Sequence, residues 1–176
     1  MEKGYVQIYT GDGKGKTTAA LGLGLRAAGC GFKVMMFQFL KGAYSGELDS
    51  TLLLGGRFTI IRLGETKKFF GALNEQERKE LKEKLQEELK QVEAILKSEA
   101  CDILILDEIM AAIHGELITV QQVCKFIDAR PGGMELVLTG RNAPQAIIDR
   151  ADLVSEIRCV KHYMDKGVSA REGIER

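Results

Sequence analysis

Apolar and polar residues follow two rhythms along this 176-residue chain. Short runs rich in apolar and β-branched residues occur at Tyr5–Thr10, Lys33–Leu40, Phe58–Leu63, Ile103–Leu106, Glu135–Thr139 and Leu153–Ile157. Such near-continuous runs are the mark of strands covered on both faces. Helical patterns fall between them. Thr18–Gly29 carries Leu21 and Leu25 four apart and ends on a glycine, although Gly22 and Gly24 are poor helix formers. From Asn74 to Ser98, Leu81, Leu85, Leu89, Val92 and Leu96 make an apolar stripe, and Asn74 with Glu77 gives a start signal. The dense Glu and Lys around that stripe read as a solvated face. Thr119–Ala129 and Pro144–Arg150 are further helices, the first ending before Pro131-Gly-Gly133. Alternating strands and helices predict an α/β fold of three layers around a mostly parallel sheet. With no repeat, linker or low-complexity tract, residues 1–176 form one domain.

Composition narrows the function classes. Twenty-five basic side chains balance 25 acidic ones, which argues against a global basic field for nucleic acid. Cys30, Cys101, Cys124 and Cys159 are scattered with no C-x-x-C pair, so neither a disulfide framework nor a zinc cluster is expected. Buried thiols in a reducing cytoplasm are the simpler reading. No basic-then-apolar leader opens the chain, and no apolar run approaches the ~20 residues of a membrane span. The expectation is a soluble cytoplasmic protein with no membrane partner.

Chemistry concentrates at Gly11-Asp-Gly-Lys-Gly-Lys-Thr17, between the first strand and the first helix. Glycines let backbone N–H groups curl around anionic oxygens, and the following helix points its positive end at them. Lys16 can neutralise phosphate charge, and the Thr17 hydroxyl is placed for Mg²⁺. The common pattern has a glycine five residues before Gly15; here that position is Thr10, and Gly11 makes a tighter loop with an added cation at Lys14. Asp12 would repel phosphate and is expected to turn outward, toward Mg²⁺ or a ribose. The partner motif is Ile103-Leu-Ile-Leu-Asp107-Glu108, a strand whose terminal acids can face Thr17 across the metal. These residues alone describe a nucleotide-binding α/β domain.

Several blocks together resemble the P-loop corrinoid adenosyltransferases, the ATP:cob(I)alamin or cob(I)yrinic acid a,c-diamide adenosyltransferases. They are Thr10–Ala20, Gln38-Phe-Leu-Lys-Gly42, Leu106-Asp-Glu-Ile109, Ala129-Arg-Pro131, Leu138-Thr-Gly-Arg-Asn142, Ala151–Arg158, Val160-Lys-His162 and Gly167–Ile174. The resemblance implies a RecA-like P-loop fold and transfer of the 5′-deoxyadenosyl group of ATP to cobalt(I) of a reduced corrinoid, releasing tripolyphosphate. It implies ATP contacts from Thr10, Gly11, Asp12, Gly13, Lys14, Gly15, Lys16, Thr17 and Thr18, with ATP reversed in the loop. It matches Arg26, Arg141 and Asn142 to residues near the nucleotide, Arg26 being equally an ordinary surface residue. Lys16, Glu108 and Arg141 would act on the reaction, and Thr17, Asp107 and Glu108 would hold Mg²⁺. A homodimer and a reductant such as a flavin or flavoprotein complete the expectation.

Cobalt(I) is itself a strong nucleophile, so no general base is sought; His114 and His162 are read as surface or hydrogen-bonded residues. Lys161 and His162 match family positions that would meet the corrin periphery or the nucleotide of a partner subunit. The family's aromatic segment after the third strand commonly holds a Trp, whereas this sequence has Gly64-Glu-Thr-Lys-Lys-Phe-Phe-Gly71 and no Trp anywhere. Phe69 and Phe70 are the candidates for the corrinoid contact, with core or dimer packing as the other reading. The first strand is preceded only by Met1 to Gly4, where some relatives carry a longer corrinoid-covering segment. A generic P-loop ATPase or kinase, and a non-catalytic nucleotide- or corrinoid-binding protein, remain the competing functions.

Overall fold

The computed structural model describes residues 2–66, 68 and 70–175. Among these, six strands form one sheet: β1 (Val6–Thr10), β2 (Val34–Phe39), β3 (Phe58–Leu63), β4 (Ile103–Asp107), β5 (Glu135–Thr139) and β6 (Leu153–Glu156). Their order is β3-β2-β4-β5-β1-β6, and every pairing is parallel. The helices are α1 (Lys16–Gly29), α2 (Glu47–Leu52), α3 (Glu75–Ser98), α4 (Ile109–His114), α5 (Val120–Asp128) and α6 (Gln145–Ile148). Of these α2 and α4, six residues each, have no place in the sequence reading; α2 buries one residue, Thr51, and so has no stripe to betray it.

Two apolar clusters clothe the sheet. On one face α1 contributes Ala20, Ala27 and Ala28, packed with Val34, Met36, Phe58, Ile103, Ile105 and Val137. Gly24 explains itself here, because a Cβ on it would stand 2.4 Å from the Phe58 ring. The opposite cluster joins Phe37, Phe39, Leu104, Leu106, Leu136 and Leu138 to α3 through Leu81, Leu85, Leu89, Val92 and Leu96, and to Val123, Phe126 and Ile147. Helix α3 starts as read, with a reciprocal capping box between Asn74 and Glu77. Thr119 and Gln122 make a second box at α5.

Period-two geometry then places the site. On the α1 face, Met36, Ile105 and Val137 are core residues and Ile60 packs against them. Two residues on, the same face carries Gln38, Asp107, Thr139 and Arg62. Gln38 is in register with both Asp107 and Arg62, and Thr139 directly follows Leu138, the partner of Leu106. A polar rung therefore crosses the carboxyl end of the sheet, beside the start of α1. The thiols divide differently from the sequence expectation: Cys101 and Cys124 are buried, whereas Cys30 and Cys159 are exposed. Burial pushes the Cys101 thiol up to about 12, so it stays protonated.

Candidate active site

The loop between β1 and α1 is shaped by two different demands on glycine. Gly15 sits at φ +123°, a conformation other residues rarely adopt, with open space where a Cβ would be. Gly11 and Gly13 are small because the chain after β6 passes against them. A Cβ on Gly11 would lie 2.3 Å from the Ile157 carbonyl oxygen, and one on Gly13 would lie 2.7 Å from the Arg158 carbonyl carbon. The Gly13 amide donates to the Ile157 carbonyl at 2.8 Å, and Asp12 Oδ1 accepts from the Cys159 amide at 3.2 Å. Asp12 thus turns away from the loop interior, as its charge demands, and ties down the following segment.

Lys16 is buried, and its Nζ donates to the carbonyls of Gly11 and Gly13, both at 2.8 Å. Burial holds its pKa below the ordinary lysine value; the Glu108 carboxylate opposes this and the Arg141 guanidinium adds to it. Thr17 Oγ1 donates to Asp107 Oδ1 at 2.9 Å. Asp107 is 1% exposed, and burial raises its pKa against the hydroxyls of Thr139 and Thr17. Glu108 follows at φ +60°, turning the chain from β4 into α4. Burial first, then the Asp107 charge, raises its pKa, while Lys16, Arg141 and Lys41 lower it. Lys16, Thr17, Asp107, Glu108 and Arg141 are therefore one electrostatic unit.

A cleft of about 940 Å³ opens over this unit, lined by Asp12 to Thr18, Glu108 and Arg141. That volume suits a nucleotide-sized ligand. Leu21, Leu25, Leu54 and Phe58 give it an apolar wall, and Gly22 adds no side chain to it. Lys41 and Glu47 also line it. The chain after β6 supplies the remaining edge: Lys14 Nζ lies 3.4 Å from the Ile174 carbonyl and 3.8 Å from the Glu175 carboxylate. Hydrogen bonds from Arg171 and Tyr163 hold that carboxyl at about 2.

Of the other sequence candidates only His162 belongs to the cleft lining among the described residues. Thr10 is buried at the end of β1 and accepts from the Ala143 amide at 3.3 Å. Arg26 is exposed in the last turn of α1, about 15 Å along the helix axis from Lys16. Asn142 is exposed at φ +51°, and His114 Nε2 sits 3.0 Å from its carbonyl and 3.2 Å from that of Arg141. His114 thus braces the Arg141 loop. His162 lines the cleft, with Nδ1 accepting from the Met164 amide at 3.1 Å. Phe70 packs on Gly115 and under the Arg78 guanidinium, 5.1 Å from its ring centre, which is the packing alternative in place. Phe69 falls outside the described residues.

One group escaped the sequence reading. Glu47 accepts from Lys41 and, at 2.9 Å, from Gln38 Nε2. Arg62 Nε lies 3.4 Å from Gln38 Oε1. Burial would raise the Glu47 pKa, but hydrogen bonds from Lys41, Ser45 and Gln38 outweigh it and hold the carboxyl at about 2. The available signal was the polar residue at the strand position where alternation demands an apolar one, Gln38 after Met36 and Arg62 after Ile60.

Residues 2–176 match the family model of the ATP:corrinoid adenosyltransferase BtuR/CobO/CobP. The chain belongs to this family. It is 34% identical to the corrinoid adenosyltransferase of Escherichia coli K12, covering 99% of this chain and 86% of that protein. Similarity to corrinoid adenosyltransferase CobA of Salmonella typhimurium LT2 is of the same degree, 34% over 99% of this chain and 86% of the relative. The Pseudomonas aeruginosa PAO1 corrinoid adenosyltransferase is 32% identical over 99% and 84% of the two chains. In structure, the RadB recombinase superposes with a TM-score of 0.53 at 15% identity, covering 89% of this chain and 76% of the other. That likeness establishes a RecA-like P-loop fold. Family membership makes the protein a transferase that uses ATP and a corrinoid.

Proposed function

We propose that this protein transfers the 5′-deoxyadenosyl group of ATP to the cobalt(I) of a reduced corrinoid in cobalamin biosynthesis. The observation that carries this reading is the cleft lined by Lys16, Thr17, Glu108 and Arg141, with Asp107 bonded to Thr17 beneath it, in a chain matched from residue 2 to 176 by the adenosyltransferase family. The cobalt(I) electron pair forms a bond to C5′ of the ribose as the C5′–O5′ bond breaks, and its electrons leave on tripolyphosphate. No proton moves, so the site needs no general base. What it needs is fixed positive charge where negative charge accumulates on the leaving group.

Lys16 and Lys14 supply that charge from the loop, and Arg141 from the far side. A polyphosphate entering the loop takes over the Lys16 donors now given to two carbonyls, with ATP lying reversed so that C5′ faces the corrinoid. The donor set fits Mg²⁺: Thr17 Oγ1 and an Asp107 oxygen already meet at 2.9 Å, with Glu108 beside them. Among the described residues there is no group of three or more His, Cys, Asp or Glu that could hold a metal. Two carboxylates and a hydroxyl, completed by phosphate oxygens and water, are ligands Mg²⁺ commonly takes. When bound, the ion would neutralise charge on the leaving polyphosphate. The positioning of cobalt and carbon falls to the cleft walls.

We further read the protein as a cytoplasmic homodimer whose substrate is reduced by a flavin or flavoprotein. Among the described residues, no helix is long and apolar enough to cross a membrane. The deciding experiment incubates the protein with ATP, Mg²⁺ and a chemically reduced corrinoid. Tripolyphosphate and a light-sensitive cobalt–carbon bond are expected. Formation of ADP without either overturns the reading, and tight binding of both ligands without alkylation makes the protein a carrier.

A further inference from the structure

Thr139 is fully buried at the end of β5. Valine would suit that strand position equally well, and a buried hydroxyl is costly unless bonded. The Thr139 hydroxyl is bonded twice. It donates to Asp107 Oδ1 at 2.7 Å and accepts from the Glu108 amide at 2.9 Å. A hydroxyl has one hydrogen, so the Glu108 N–H on its oxygen leaves that hydrogen for Asp107 alone. Thr17 donates to the same Asp107 oxygen, so both lone pairs of Oδ1 are engaged. Glu108, meanwhile, stands at φ +60°, which a glutamate keeps only where its surroundings hold it. Its amide bond to Thr139 is such a hold.

We propose that Thr139 is a positioning residue that locks Asp107 and Glu108 into one unit, so that a divalent cation on the polyphosphate meets both acids preset. This rests on the reading of Thr17, Asp107 and Glu108 as the Mg²⁺ site. Thr139 touches neither nucleotide nor corrinoid in this scheme; it acts through its two acidic neighbours.

Thr139→Val and Thr139→Ala remove the hydroxyl, and Thr139→Ser keeps it. Manganese(II) binding to the protein–ATP complex, followed by the enhancement of water-proton relaxation over that of manganese–ATP alone, reports the acid pair. Both hydroxyl-free variants should bind the ion roughly tenfold or more weakly, the usual penalty for losing an orienting partner of a metal ligand. Serine should stay within about threefold of wild type by the same reasoning. In metal-free protein, the Glu108 amide should exchange its hydrogen faster in T139V and at the original rate in T139S. Turnover at saturating ATP should follow the ion affinity, with the affinity for metal-free ATP unchanged. Unaltered manganese binding in T139V and T139A, or serine as weak as valine, overturns the proposal. Unfolding of both hydroxyl-free variants while T139S stays intact makes Thr139 a stability residue and overturns it as well. Failure of the wild type to bind manganese with ATP would instead remove the metal-site reading on which the proposal stands.

Discussion

Lys16 is held in place by two carbonyl oxygens of its own loop, and this fixes what its loss should do. Lys16→Ala removes a cation from the leaving group, an interaction worth about 2–4 kcal/mol of transition-state stabilisation at comparable fixed donors. Single-turnover rates at saturating ATP should fall about 10²–10³-fold, and near-wild-type turnover would refute the role. Glu47 offers a test on stability instead. Its carboxyl is held at about 2 against an ordinary value of 4.5. A depressed carboxyl stabilises the fold above the unfolded pKa, and that contribution disappears as pH falls toward the folded pKa. Wild type should therefore lose roughly 2 kcal/mol between about pH 4.5 and pH 2 that Glu47→Gln does not lose. Urea unfolding of both proteins across that window measures the difference; parallel curves would show that the Glu47 pairing adds nothing.

Helix α1 holds two glycines whose substitution should have opposite signs. Gly24→Ala drives a Cβ to 2.4 Å from the Phe58 ring, and overpacking of this kind costs about 1–3 kcal/mol. Gly22 faces open space, so Gly22→Ala should gain about 0.5–1 kcal/mol from the helix preference for alanine. For a chain of this size the gain raises Tm by about 1–4 °C, readable by calorimetry. The same pair marks the limit of sequence reading. Both glycines look like helix weakeners from composition, and only the partner across the helix face separates them. The strands, α3 with its capping box, the phosphate loop and the Asp107-Glu108 end were legible because each is a local pattern. Helix α2, the Glu47 network and the bonds of Thr139 were not, since they depend on which strands lie side by side. Alternation did hold a trace of them, in the polar residues that end β2, β3, β4 and β5 on one face.

At the scale of the whole molecule, the loop near the start of the chain leans on a segment near the other end. Gly13→Ala sets a Cβ against the carbonyls of Ile157 and Arg158, all backbone atoms that cannot swing aside. Loss of ATP binding is expected, together with faster proteolysis of the segment after β6; retention of both wild-type properties would show the contact to be dispensable. The contact also sets an order of events during synthesis. By the time α3 leaves the ribosome, the glycine loop and its lysine have long been made, yet β6 and residue Ile157 have not. The nascent chain then holds a phosphate motif without the backbone that shapes it. Nucleotide binding is therefore expected only once β6 and Ile157 have been made. A chain that stops before β6 should therefore fail to bind ATP.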